Sequence, residues 1–284
     1  MKILILGAGD LGTEAGLRFV AAGHQVTAWR RRTELLPATF AAQRVDLGDP
    51  AADWPRIDAE TDTVVFTPAA PERSESAYRR TYLQAVRRLA QTLVRDGVAP
   101  RRFLLVSSTA VYGDAGGGWI TEEDPISPQT PTASILAETE SLVRETLGHA
   151  VVLRLSGIYG PGRNHLVNQV KNGTARRPER TTWTNRIHRD DAAAAIVHLC
   201  TMDAAPEPLY LGVDHEPADL AEVQGFLAEQ LGVAAPMPGE TAVSRGGDRR
   251  LSNARLLSTG FTFTFPSYRE GYASVLAGDG VRHP

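Results

Sequence analysis

The stretch Ile3-Leu4-Ile5-Leu6-Gly7-Ala8-Gly9-Asp10-Leu11-Gly12 decides how the rest of the chain is read. A run of apolar residues forms a strand, a glycine-rich corner follows at once, and a helical pattern through Phe19-Val20-Ala21-Ala22 opens beyond it. Each glycine has its own task. Gly7 permits the tight turn, Gly9 lets the backbone approach a pyrophosphate, and Gly12 lets helix and strand pack closely. Unpaired N–H groups at the helix start then face the anion. The spacing predicts a dinucleotide site on Gly7, Gly9, Asp10, Leu11 and Gly12, with a merely structural turn as the alternative.

Working outward, strand-like and helix-like segments alternate. His24 to Trp29, Gln43 to Asp46 and Thr63 to Thr67 read as further strands, and residues 76–96 carry Tyr78, Tyr82, Ala85, Leu89 and Leu93 at a helical period. Arg102 to Ser107 is the next strand, residues 133–147 a helix, and Ala150 to Leu155 a continuous apolar strand of the kind buried on both faces. Alternation of this sort predicts an α/β fold, a doubly wound parallel sheet of the Rossmann type. The expected division is a nucleotide-binding domain over 1–156 and a smaller, proline-interrupted substrate lobe over 157–284, interleaved with the last sheet elements.

The 284 residues carry a net charge of -3, which leaves no global basic field for nucleic acid. The N-terminal apolar run is too short for a signal sequence and no stretch reaches the length of a membrane span, so a cytoplasmic protein without a membrane partner is expected. Cys200, the only cysteine, reads as a small buried apolar residue. No metal site is expected, because the histidines show no ligand spacing with one another or with Cys200.

Cofactor choice is written after the second strand, where a carboxylate selects NAD and an arginine accommodates the extra phosphate of NADP. Here Arg30-Arg31-Arg32 follow Trp29. Arg30 and Arg31 offer planar forks that match phosphate, so NADP is expected, with NAD as the lesser alternative and a solvated basic turn as the plain one. Asp46, beyond the third strand, reads as an adenine contact or a helix cap, and Thr67 and Pro68, ending the fourth, complete the expected cofactor set.

The segment Leu105-Val106-Ser107-Ser108-Thr109-Ala110-Val111-Tyr112-Gly113 resembles the serine strand of the extended short-chain dehydrogenase/reductases, the NAD-dependent epimerase/dehydratase family. Arg154 to Arg163, with Tyr159-Gly160-Pro161-Gly162, is similar to that family's strand and turn, Asn185 to Asp191 to its segment before a late helix, and Arg250 to Leu257 to its C-terminal signature. The resemblance implies a Ser, a Tyr and a Lys four residues after the Tyr. Ser108 matches the serine, but Thr132 falls at the tyrosine position and Leu136 at the lysine position, and neither Tyr nor Lys occurs between Tyr112 and Tyr159. The chain is thus expected to be an atypical member that lacks the usual catalytic pair.

Expected catalytic residues are Ser108, Thr109 and Tyr112, and expected substrate contacts are Tyr159, Arg163 and His188. Tyr78 and Tyr82 are further acid–base candidates, and Arg176, Arg177, Arg180 and Arg249 point to an anionic ligand. The function implied is an NADP-dependent oxidoreductase or epimerase acting on a small polar or sugar-like substrate through a non-standard acid–base. The alternatives are a non-catalytic redox sensor and a lyase or isomerase that does no hydride chemistry. The resemblance also implies a homodimer through the helices at 76–96 and 133–147, the latter offering Ile135, Leu136, Leu142, Val143 and Leu147.

Overall fold

The computed structural model describes residues 1–240 and 247–284. Strand β1 (Lys2–Leu6) runs through the glycine corner into α1 (Asp10–Ala21), and β2 (Gln25–Arg30), β3 (Ala41–Arg44) and β4 (Thr63–Phe66) follow. A long helical segment comes next: α2 (Glu75–Tyr78), a π-helical turn (Arg79–Gln84) and α3 (Ala85–Asp96). Then come β5 (Arg102–Ser108), β6 (Trp119–Ile120), α4 (Pro131–Thr146) and β7 (Ala150–Leu155). The remainder is β8 (Gly157–Tyr159), α5 (His165–Lys171), β9 (Trp183–Thr184), β10 (Arg186–His188), α6 (Arg189–Thr201), β11 (Leu209–Gly212), β12 (Ala218–Asp219), α7 (Leu220–Leu231), β13 (Arg250–Leu251), α8 (Ala254–Ser258) and α9 (Tyr268–Ala277).

Seven strands make one parallel sheet in the order β11-β7-β5-β4-β1-β2-β3. The order reverses beside β1, which makes the carboxyl ends of β1 and β4 the switch point at which open sheets of this kind bind ligands. Alternate residues of β1 point to opposite faces. Ile3 and Ile5 pack with Phe19 of α1 and with Ile196 and Leu199 of α6, while Leu4 and Leu6 pack with Val86 and Leu89 of α3. The glycine corner is thus carried by a strand buried on both sides.

The sheet differs from expectation in places, for physical reasons. The third strand lies at 41–44 and all four of its side chains are exposed, as suits the sheet's edge. The helix expected from 133 starts at Pro131, because the Thr130 side chain accepts the Ala133 N–H and proline suits a first turn. α6 and β11, from the second part of the chain, return to the main body: β11 pairs with β7, and α6 lies against α1. Ile135, Leu136 and Val143, offered by the sequence for a twofold contact, are at most 6% exposed and face the chain's own core. No described helix is long and apolar enough to cross a membrane.

Candidate nucleotide and substrate site

The corner after β1 is closed at two glycines and open at the third. Gly7 has φ +83°, and a Cβ there would lie 2.6 Å from Pro68 Cα, so only glycine fits. A Cβ on Gly12 would lie 2.6 Å from Thr67 Oγ1, which shows how closely α1 packs on the sheet. A Cβ on Gly9 would meet only the Gly7 carbonyl, at 3.9 Å. Gly9 is the α1 N-cap and supplies no side-chain cap, which leaves the first helical N–H groups available to an anion. Thr67 and Pro68 buttress the turn: Thr67 Oγ1 donates to the Gly7 carbonyl at 3.2 Å, and the Pro68 carbonyl accepts from Tyr82 at 3.0 Å.

Asp10 would be an awkward neighbour for a pyrophosphate if its charge stood alone. It does not. Arg163 Nε and Arg189 Nη1 each lie 2.7 Å from its carboxylate, and the Arg189 side chain is 1% exposed. Arg163, expected in the substrate lobe, is therefore brought to the mouth of the cradle. At the end of β2, Arg30 Nη1 is buried without a hydrogen-bond partner among the described residues, while Nη2 donates to the Pro284 carbonyl at 3.0 Å. Burial, then the charge of Arg32, hold the Arg30 guanidinium below its ordinary pKa, so an anion there would be welcome. Arg31 is exposed. Asp46 closes its own turn, accepting the Gly48 N–H at 2.9 Å, and caps no helix.

Beyond the nucleotide corner, β5 ends at Ser108, whose Oγ accepts the Ala110 N–H at 3.2 Å and so caps a single helical turn. Thr109 is buried, and its carbonyl accepts from Arg249 Nη2 at 2.7 Å. Arg249 Nη1 reaches the Tyr112 and Gly113 carbonyls, so this arginine braces the serine turn from beneath. Burial, opposed by Asp114, brings its guanidinium down to about 10.

Tyr112, expected as an acid, is fully buried. Its hydroxyl accepts from Arg154 Nη1 at 2.6 Å and donates to the Thr121 carbonyl at 3.1 Å. Arg154 is in turn clamped by Glu140, with Nη2 to Oε2 at 2.6 Å and Nε to Oε1 at 3.1 Å, and Ser107 donates to the same carboxylate. Tyr112 thus belongs to a buried structural network. Thr132 is the second residue of α4 and exchanges a hydrogen bond with Thr130. Leu136 lies in an apolar cluster with Val111, Tyr112 and Leu251, on which the half-buried Tyr78 and Tyr82 pack. The two tyrosine rings are 5.1 Å apart. Tyr82 is bound to Pro68, whereas the Tyr78 hydroxyl has no hydrogen-bond partner among the described residues.

Tyr159 and His188 lie side by side on β8 and β10, ring centroids 5.3 Å apart. Tyr159 donates to the Ser267 carbonyl, and burial pushes its hydroxyl far up. His188 is 1% exposed; its Nδ1 accepts the Asp190 N–H, and burial drives its pKa down to about 4 despite Asp190. The imidazole is therefore neutral at pH 7. Sequence reasoning missed Asp214, two residues beyond β11. It is 1% exposed, its Oδ2 lacks a partner among the described residues, and burial pushes it up to about 8 against the pull of Arg186. An acid directly after an apolar run was the available signal.

A phosphate cradle at the switch point of a parallel sheet defines a dinucleotide-binding α/β protein. The model of the NAD dependent epimerase/dehydratase family matches residues 3–212, and the chain belongs to that family. A solved protein from Methylobacillus flagellatus, described as an NAD-dependent epimerase/dehydratase, is 33% identical with a TM-score of 0.80, and each chain is covered over 97% of its length. The human epimerase family protein SDR39U1, solved with NADPH, is 20% identical with a TM-score of 0.79, over 98% of this chain and 99% of that one. MoeE5, solved with UDP-glucuronic acid and NAD, is 23% identical with a TM-score of 0.79, over 96% of this chain and 97% of that one. The last two show likeness of fold alone. No curated protein matches.

Proposed function

We propose that the chain binds NADP(H) and works on a small polar, sugar-like substrate as an oxidoreductase or epimerase with a non-standard proton donor. The observation that carries the cofactor reading is the pairing of an open Gly9 with a half-buried Arg30, whose Nη1 is buried without a partner among the described residues, at the end of the neighbouring strand. Leu11 and Gly12 would hold the pyrophosphate by their N–H groups, Gly9, whose own N–H donates to the Gly7 carbonyl, would let it approach, and Arg30 would hold the extra phosphate. Bound nicotinamide would supply a hydride donor or acceptor. Ser108 would orient the substrate oxygen from the carboxyl end of β5. Tyr78 is the proposed proton donor, since its hydroxyl is uncommitted while those of Tyr82, Tyr112 and Tyr159 are bonded to backbone carbonyls. A second reading, a redox sensor that binds without turnover, is favoured by the buried Leu136 at the lysine's position.

A fluorescence titration tests the cofactor. NADPH should bind more tightly than NADH, and Arg30→Ala should weaken NADPH about tenfold or more, the worth of a lost bond to a charged group. Gly9→Ala should leave the melting temperature nearly unchanged, as its φ of -80° suits alanine, yet abolish binding. Equal affinity for both nucleotides would refute the NADP assignment. Binding without NADPH consumption across polar carbonyl substrates would favour the sensor.

A further inference from the structure

Residues 281–284 lie across the chain's own nucleotide cradle. The His283 N–H donates to Asp10 at 3.1 Å, and its ring Nε2 lies 2.9 Å from Glu14. Arg189 Nη2 donates to the Val281 carbonyl at 2.9 Å, and Arg30 Nη2 to the Pro284 carbonyl at 3.0 Å. Arg282 Nη1 donates to the Gly162 carbonyl at 2.8 Å. Glycines make room for this path: a Cβ on Gly162 would lie 2.4 Å from Arg282 Cδ, and one on Gly280 would lie 2.8 Å from Pro161 Cγ.

Two successive residues, His283 and Pro284, therefore span from the first residue of α1 to the arginine that ends β2. That is the interval the adenosine half of a dinucleotide must bridge if its pyrophosphate rests at Gly9 and its extra phosphate at Arg30. We propose that residues 281–284 are a strap that competes with the 2′-phosphoadenosine end of the nucleotide, so that binding requires the strap to lift. The proposal rests on the cradle being an NADP site.

The strap is built to yield. Val281 is 69% exposed, Arg282 and Pro284 are exposed, and His283 is only half-buried, so lifting the segment opens no core. What it surrenders is a handful of hydrogen bonds, those of Arg30 and Arg282 exposed and those to Arg189, Asp10 and Glu14 half-buried, and a terminal segment held by so few contacts belongs to the low-stability end of a fold. A phosphate is a charge-assisted acceptor that can take both arms of a guanidinium, whereas Arg30 now holds the Pro284 oxygen through Nη2 alone.

The test compares the full chain with a variant carrying Val281→Gly, Arg282→Ser, His283→Gly and Pro284→Ser together, titrated with NADPH and with adenosine 2′,5′-bisphosphate. A strap docked in about nine molecules of ten weakens apparent affinity about tenfold, so the variant should bind both probes about tenfold more tightly. Hydrogen exchange at the His283 amide should be protected about tenfold in the free protein and lose that protection when NADPH saturates it. Equal affinities in the two proteins would overturn the strap while leaving the NADP reading intact. Weaker binding by the variant would also overturn it, making the segment part of the site. Failure of both proteins to bind either probe would remove the NADP reading and the strap with it.

Discussion

Arg154→Met should cost this protein several kilocalories per mole without touching its nucleotide cradle. The Arg154 and Glu140 side chains are 2% and 0% exposed, and they share hydrogen bonds of 2.6 to 3.2 Å. Methionine keeps much of the packing stem but leaves Glu140 with the Ser107 hydroxyl and the more distant Arg144, whose Nη2 is 3.7 Å away and whose side chain is 42% exposed. Breaking a buried pair from one side costs about 3–5 kcal/mol, because a charge is left buried and uncompensated. At about 2–4 °C per kcal/mol for a chain of this order, the melting temperature should fall by about 6–20 °C. Tyr112 also loses a donor to its hydroxyl. The double variant Glu140→Leu, Arg154→Met should recover much of the loss, as apolar replacements of buried pairs often do. A drop below about 1 kcal/mol for Arg154→Met, or a double variant less stable than the single, would refute the argument.

The remaining predictions concern a proton donor and a buried acid. Tyr78→Phe should leave NADPH affinity within about twofold while turnover on any accepted substrate falls by about 10^2-fold or more, the usual worth of acid–base help; unchanged turnover would exclude Tyr78. For Asp214, raised from 3.8 to about 8 on folding, the protonated acid is the form that suits the native state. Its contribution is present below about pH 4 and is lost as pH climbs to about 8, because the unfolded chain releases the proton first. Chemical denaturation should show Asp214→Asn losing roughly 2–5 kcal/mol less than the parent across that window; parallel pH profiles would show that Asp214 is ionised in the folded protein.

Much of the architecture could be read in the chain because it is governed by neighbours in sequence. The strand, glycine corner and helix at residues 2–21 depend on local φ preferences and on a short apolar run, and both are visible without a partner. β7 falls at Ala150–Leu155, as the apolar run from Ala150 to Leu153 leads one to expect. The collinear resemblance at the serine strand and beyond carried the family, which the comparison over residues 3–212 shows.

The roles of individual polar side chains depended on contacts between residues remote in sequence. Tyr112 and Tyr78 look alike in sequence as hydroxyls near a nucleotide strand. Only the arrival of Arg154 and Thr121 commits the one, while the other remains free of partners among the described residues. Arg163 and Arg189 were placed on Asp10, and residues 281–284 were laid over the cradle, by meetings of segments that no local periodicity encodes. Backbone preference and hydrophobic period act over a few residues and survive in the sequence. The partner of a charge is whichever group the folded chain brings within about 3 Å, and that is settled only by tertiary packing.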